Sequence, residues 1–255
     1  MLVIIIIFAG VIGAVFGSFL NCAAYRIARG ENFVTGRSKC PHCGHELSAH
    51  DLVPVISWFA LGGRCRYCKE KISPRYVICE LLFAAISIAC VLKFGFTLLC
   101  LRNWIYLACL FCLALVDLDS FTIPDGCLII PAVTWLVTSP FVMQFPKEML
   151  KGIAFALICG GLFLGISLVL DKVLKKDTLG GGDIKLFALA ALYNGTFGTL
   201  LMVLIACITG LIYIFVTKKG KGEPIPFGPF IAAASCFMLL FGEPILNWYF
   251  GLLSF

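Results

Sequence analysis

The sequence predicts an all-α polytopic membrane protein of about eight transmembrane helices with one small cytoplasmic domain. Three observations carry that prediction. Hydrophobic residues make up 61% of the 255 and charged residues only 13%, about half the charged share of a soluble domain. Apolar runs near the twenty residues needed to cross a bilayer recur along the whole chain. The one sizeable polar stretch, residues 26–74, lies between two such runs and holds two Cys-x-x-Cys pairs.

Taken in order, the first run is 2–20. It is long, has no basic segment before it and no convincing cleavage site, so it reads as a retained transmembrane helix rather than a removed signal. Further spans are expected at 75–92, 98–116, 127–145, 152–170 and 196–216. A last one starts at 227–241 and runs on apolar to Phe255. The run 184–193 is short. It counts as a span if it tilts, or if Gly195 bends the chain between two helices; a re-entrant segment there would lower the count to seven. No internal repeat and no low-complexity linker is evident. The chain divides into residues 1–25 (first helix), 26–74 (cysteine-bearing domain) and 75–255 (remaining membrane domain).

Charge sets the orientation. With eight spans and the N-terminus outside, Arg26, Arg29, Arg37, Lys39, Arg64, Arg66, Lys69, Lys71, Arg75, Lys172, Lys175, Lys176, Lys185, Lys218, Lys219 and Lys221 fall on the cytoplasmic side. Only Lys93, Arg102, Lys147 and Lys151 fall opposite. That asymmetry satisfies the positive-inside rule. The net charge of +6 is dispersed, which fits contact with anionic membrane lipid and argues against a nucleic-acid partner.

Residues 26–74 are too few to depend on an apolar core, and domains of that size need metal or disulfides. Cys40 and Cys43 lie in CPHCG, Cys65 and Cys68 in CRYC. Paired Cys-x-x-Cys units are the framework of a closed four-thiolate zinc site, and a reducing cytoplasm disfavours disulfides. A structural zinc is therefore expected, with His42, His45 and His50 as ordinary surface histidines. Cys109 and Cys112 repeat the spacing inside an apolar run, where buried thiols serve as small hydrophobes.

Two aspartates stand out. Asp117 opens DLDSFTIPD at the end of one apolar run, and Asp183 closes GGGD at the start of another. In the eight-helix topology both face the cytoplasm. An ionisable residue at the membrane boundary is costly and calls for a reason. Asp117 at a helix C-terminus opposes the helix dipole and has no structural excuse. Two converging carboxyls suffice to activate a water and protonate a leaving amine, one of them ionised and one protonated. Gly180 and Gly182 would give an extended peptide room beside Asp183, with Lys185 as a supporting basic anchor. Asp125 is expected to cap the next helix, and Asp119 to be a solvated loop carboxylate. Membrane helices otherwise nearly lack charge, Glu80 being the main exception.

These strings resemble the type IV prepilin peptidases, membrane aspartic proteases with a GxGD motif. The likeness runs through GSFLNCAAYRI, the cysteine segment CPHCGHELSAHDLVPVISWFALGGRCRYCKEKISPRYVICELL, VDLDSFTIPD, GGGDIK and IPFGPF. The string LGGGD departs from the family's usual glycine string but keeps Gly180 and Gly182. The resemblance implies that Asp117 and Asp183 are catalytic. It also implies cleavage of the basic leader from type IV prepilins and pseudopilins at the cytoplasmic face of the bacterial inner membrane. N-methylation of the new N-terminal residue with S-adenosyl-L-methionine is implied as well, although no motif for that donor is legible. Alternatives are a peptidase alone, a preflagellin-type substrate, or a membrane scaffold or transporter. A transporter would place ionisable residues near mid-span.

Overall fold

A computed structural model describes residues 2–33, 36–175, 179–218 and 225–253. Lys176, Lys219 and Lys221, assigned above to basic loops, lie outside them. Described residues are helical apart from loops and two isolated antiparallel bridges. Two compact units emerge, Met1–Gly95 and Phe96–Phe255.

In the first unit, α1 (Leu2–Ile27) packs along α3 (Arg75–Phe94). Glycines set how closely they lie. A Cβ on Gly13 would come 2.7 Å from the Ala84 Cα, and one on Gly17 would come 2.8 Å from the Cys79 carbonyl oxygen. Lipid offers no hydrophobic drive between helices, so such close contact is what holds them together. Leu2, Ile4, Ile7 and Phe8 on α1 are exposed, as a lipid-facing surface requires. The helix runs past the apolar stretch to Ile27, taking Asn21 into a buried position beside Cys79. Between α1 and α3 come a 3-10 turn, Ala49–Leu52, and a short α2 (Ile56–Ala60). Glu80 has a structural use: its Oε2 accepts the N–H of Val55 at 2.7 Å, where the backbone turns to φ 63°.

The second unit is built around α4 (Leu98–Ser120). Thr97 caps it, accepting the N–H of Cys100 at 3.1 Å. Tyr106, Leu107, Leu110, Leu113 and Val116 on this helix are fully buried, because α5 (Gly126–Val142) and α8 (Gly228–Leu253) both pack on it. Next come α6 (Lys147–Leu174) and α7 (Gly181–Thr217). Among the described residues six helices are long and apolar enough to cross a membrane; α5 is apolar but has 17 residues.

The 37 residues of α7 would reach about 55 Å as one rod, far beyond a hydrocarbon core of about 30 Å. Gly195 breaks the helix at φ 66°, ψ −176°. Its first half stacks Tyr193 on Tyr106 of α4 and Phe187 on Phe163 of α6. Beyond the break, Phe197 meets Phe250 near the end of α8, and Tyr213 meets Phe230 near its start. The second half therefore runs antiparallel to α8, and the chain reverses at Gly195. Residues 181–194 and 196–217 are thus two helical segments of opposite direction, the first of them short for a full crossing.

Candidate active site and metal centre

Asp117 lies in the last turn of α4. Its carbonyl accepts the N–H of Phe121, whose left-handed φ of 55° ends the helix. The chain then runs without regular secondary structure through Thr122–Pro124 into α5. Asp183 lies in the first turn of α7, three residues after the N-cap Gly180. The start of α7 reaches the loop after α4 at two points. A Cβ on Gly182 would sit 2.9 Å from the Ile123 Cβ, so only glycine lets the two backbones come this close. Lys185 Nζ donates to Asp125 Oδ1 at 2.7 Å. Those contacts bring Asp117 and Asp183 within electrostatic range of each other.

Asp117 is 5% exposed, whereas Asp183 is half-buried. The third contributor is Gly228 at the start of α8. Its N–H donates to Asp117 Oδ2 at 2.9 Å, across 111 residues of sequence. A Cβ there would lie 2.9 Å from the same oxygen and 3.2 Å from Cγ. Sequence reasoning missed this residue. IPFGPF stands in the sequence only as part of the likeness, and a glycine between Phe227 and Pro229 was the available signal. Gly180 has a parallel relation to Asp183, since a Cβ on it would lie 3.1 Å from Oδ2. Each aspartate is thus approached by a backbone that carries no side chain.

Asp125 corrects an expectation. It occupies the N-cap position of α5 but makes no capping bond. Its φ −58°, ψ −31° is helical rather than the extended backbone a side-chain cap uses, and its carboxylate pairs with Lys185 instead. Asp119 is exposed, as expected, but lies in the last turn of α4 rather than on a loop.

The cysteine domain places all four predicted ligands together. The Sγ atoms of Cys40, Cys43, Cys65 and Cys68 lie within 4.8 Å of one another, and Cys40 and Cys68 are 3.9 Å apart. Tetrahedral Zn–S bonds of about 2.3 Å set sulfurs roughly 3.8 Å apart, so the cluster fits zinc. Two equivalent turns build it. The Cys40 N–H bonds His45 O, and Gly44 N–H bonds Cys40 O; the Cys65 N–H bonds Glu70 O, and Lys69 N–H bonds Cys65 O. Gly44 and Lys69 both take positive φ, and each turn closes on one bridge, Lys39–Glu46 or Arg64–Lys71. The turns are a small local duplication that the sequence reading did not register. Backbone N–H groups of Cys68 and then Tyr67 lower the Cys65 thiol, favouring the thiolate a metal takes. Four thiolates around one ion would leave no open coordination position for catalysis.

Asp51 ties the 3-10 turn Ala49–Leu52 to the second cysteine turn. It accepts from Arg66 Nε at 2.7 Å, Tyr67 Oη and the Ser48 hydroxyl. His45 lies tilted against Tyr67 with ring centres 3.7 Å apart and is not part of the four-sulfur cluster. Cys109 and Cys112 lie in α4 and are not members of this cluster.

Comparison with known proteins matches residues 11–94 to the bacterial peptidase A24 N-terminal domain and residues 104–215 to the type IV leader peptidase family. A prepilin leader peptidase/N-methyltransferase of Burkholderia pseudomallei is 33% identical, over 93% of this chain and 85% of that protein. One of the same description from Pseudomonas aeruginosa is 31% identical, over 96% and 93%. A type 4 prepilin-like proteins leader peptide-processing enzyme of Escherichia coli is 32% identical, over 88% and 89%. No solved structure matches.

Proposed function

Because the chain belongs to the type IV leader peptidase family, we propose that Asp117 and Asp183 are its catalytic pair and that a type IV prepilin or pseudopilin leader is what they cut. The chain is an enzyme of leader-peptide cleavage and N-methylation. The observation that supports the assignment is the approach of two carboxyls from different helices, with buried Asp117 held by the Gly228 amide. One carboxylate takes a proton from water as the oxygen attacks the scissile carbonyl carbon. The other, protonated, polarises the carbonyl oxygen. The tetrahedral diol then collapses, its C–N bond breaks, and the amine leaves with a proton from the pair. No covalent intermediate forms.

Gly180, Gly182 and Lys185 support the segment that carries Asp183; the space beside Gly182, expected to admit a peptide, is taken by Ile123, and Lys185 ties the segment to Asp125. The enzyme is placed in the bacterial cytoplasmic membrane with its N-terminus outside and the aspartates toward the cytoplasm, in contact with anionic lipid and reached by the basic leader. Zinc would be held by Cys40, Cys43, Cys65 and Cys68 and would supply folding energy to the domain. S-adenosyl-L-methionine is the methyl donor on this reading. Among the described residues no set is assigned to it, and no step is derived through it.

The test is cleavage of a prepilin with a Gly–Phe junction by protein in membranes. Asp117→Asn and Asp183→Asn each lose about 10²- to 10⁴-fold or more in rate while still inserting and folding; Asp119→Asn and Asp125→Asn keep part of theirs. Full activity in either of the first two overturns the assignment. Mass spectrometry of the product separates methylation from cleavage. Cys40→Ser with Cys43→Ser should reduce methylation at least as much as cleavage.

A further inference from the structure

We propose that the end of the second unit away from the aspartates holds a site for the phosphate of an anionic lipid head group, centred on Arg102. This guanidinium is 5% exposed. Its Nε and Nη1 have no hydrogen-bond partner, and among the described residues no carboxylate pairs with it. The ring of Tyr193 faces it, with the guanidinium carbon 5.8 Å from the centroid. A cation–π contact of that kind contributes about 1–2 kcal/mol. Burying an ion without a counter-charge costs several kcal/mol. The balance is unfavourable unless an anion completes the site, and a guanidinium fork matches phosphate geometry.

Depth selects the source of that anion. Arg102 stands 15 residues before Asp117 on α4, about 22 Å along the axis. That carries it most of the way across a hydrocarbon core of about 30 Å, to within roughly one helical turn of where α4 begins at Leu98. An arginine stem reaches head groups from there. Tyr106 and Tyr193, stacked at 3.8 Å, lie beside it.

The same locus contains the break in α7. Residues 181–194 rise only about 21 Å, so Asn194 and Gly195 stop short of the far membrane face. Asn194 Nδ2 donates to Ser235 Oγ at 2.7 Å, and Ser235 bonds Tyr106 Oη at 2.6 Å, but Asn194 Oδ1 has no donor. Broken membrane helices with polar groups at the break are where ligands bind. A head group that brings phosphate for Arg102 and a hydroxyl for Asn194 answers both unpartnered groups. This site is separate from the proposed peptidase pair and does not depend on it.

The purified full chain is placed in phosphatidylcholine nanodiscs, with or without phosphatidylglycerol, or with inorganic phosphate added. Retained lipid is counted by native mass spectrometry, and thermal unfolding is followed. The wild type should retain phosphatidylglycerol over phosphatidylcholine and unfold at higher temperature with it. Arg102→Gln should lose about fivefold or more of that preference, the share one basic residue contributes at a membrane surface. Lys151→Gln, which breaks an exposed pair with Glu148 at 3.0 Å, should keep it. Arg102→Lys, which keeps the charge without the fork, should retain less than the wild type, and it decides the matter if Arg102→Gln does not fold. Equal retention in wild type and both Arg102 variants, or no preference in the wild type, overturns the proposal. Equal stabilisation by inorganic phosphate in phosphatidylcholine overturns the lipid as its source.

Discussion

Gly228→Ala probes the proposed active site at a position that neither ionises nor touches solvent chemistry. The new Cβ would stand 2.9 Å from Asp117 Oδ2, 3.2 Å from Cγ and 3.4 Å from Cβ. Ordinary carbon contacts begin near 3.4 Å, so about half an ångström must be found. The obstacle is the short side chain of Asp117 itself, buried at 5% exposure, so either that carboxyl or the start of α8 has to move. Movement of either stretches the 2.9 Å bond from the Gly228 N–H. A hydrogen bond to a charged group is worth about 1.5–3 kcal/mol, which corresponds to roughly 10- to 150-fold in rate. Prepilin cleavage by the alanine variant should fall within that range in kcat/KM, with insertion and zinc content unchanged. Gly126→Ala is the matched control. Nothing lies within 4 Å of its Cβ position and its φ is ordinary, so its rate should stay within about twofold of wild type. If Gly228→Ala also stays within twofold, Asp117 is not held in the way the contact implies.

Other expectations follow from the same geometry. The Lys185–Asp125 pair is well formed but 60% and 64% exposed in its side chains; exposed pairs contribute at most about 1 kcal/mol, so Lys185→Met should slow cleavage no more than about fivefold, and a double change with Asp125→Asn should cost little further. Metal analysis should find one zinc per chain. Cys40→Ser should release it and open residues 26–74 to protease, whereas Cys112→Ser should not. Arg66 beside Asp51, together with Ser48 and Tyr67, brings that carboxyl down to about 2. A depressed carboxylate contributes its full stability above its unfolded value, about pH 4, and loses it as pH falls toward 2. Asp51→Asn should therefore destabilise the cysteine domain by about 1–2 kcal/mol, discounted for the half-exposed Arg66, and by the same amount at pH 5.5 and pH 7.5 in protease-resistance assays. A difference that grows between those two values would show that another group carries the effect.

Local signals in the sequence were enough for much of this protein. Long apolar runs mark helices in lipid wherever they occur, because a backbone in hydrocarbon must satisfy its own hydrogen bonds. That placed the spans, and Gly195 was already suspect as a bend. Paired Cys-x-x-Cys spacing marked a metal cluster whose sulfurs lie together in the structure. Asp117 and Asp183 stood out because charge is rare at such places. What escaped the sequence depends on contacts between distant segments. Gly228 meets Asp117 across 111 residues, and no periodicity or motif length encodes that meeting. Asp125 had the right residue type for a cap, yet the helical backbone at its position and the nearness of Lys185 gave its carboxylate another partner. Arg102 was one basic residue on the less charged side until packing buried it against Tyr193. Composition and spacing determined which segments cross the membrane and which residues could do chemistry. Only the tertiary structure decided which backbone reaches which carboxyl, since that is settled by the packing of helices that the chain separates by a hundred residues.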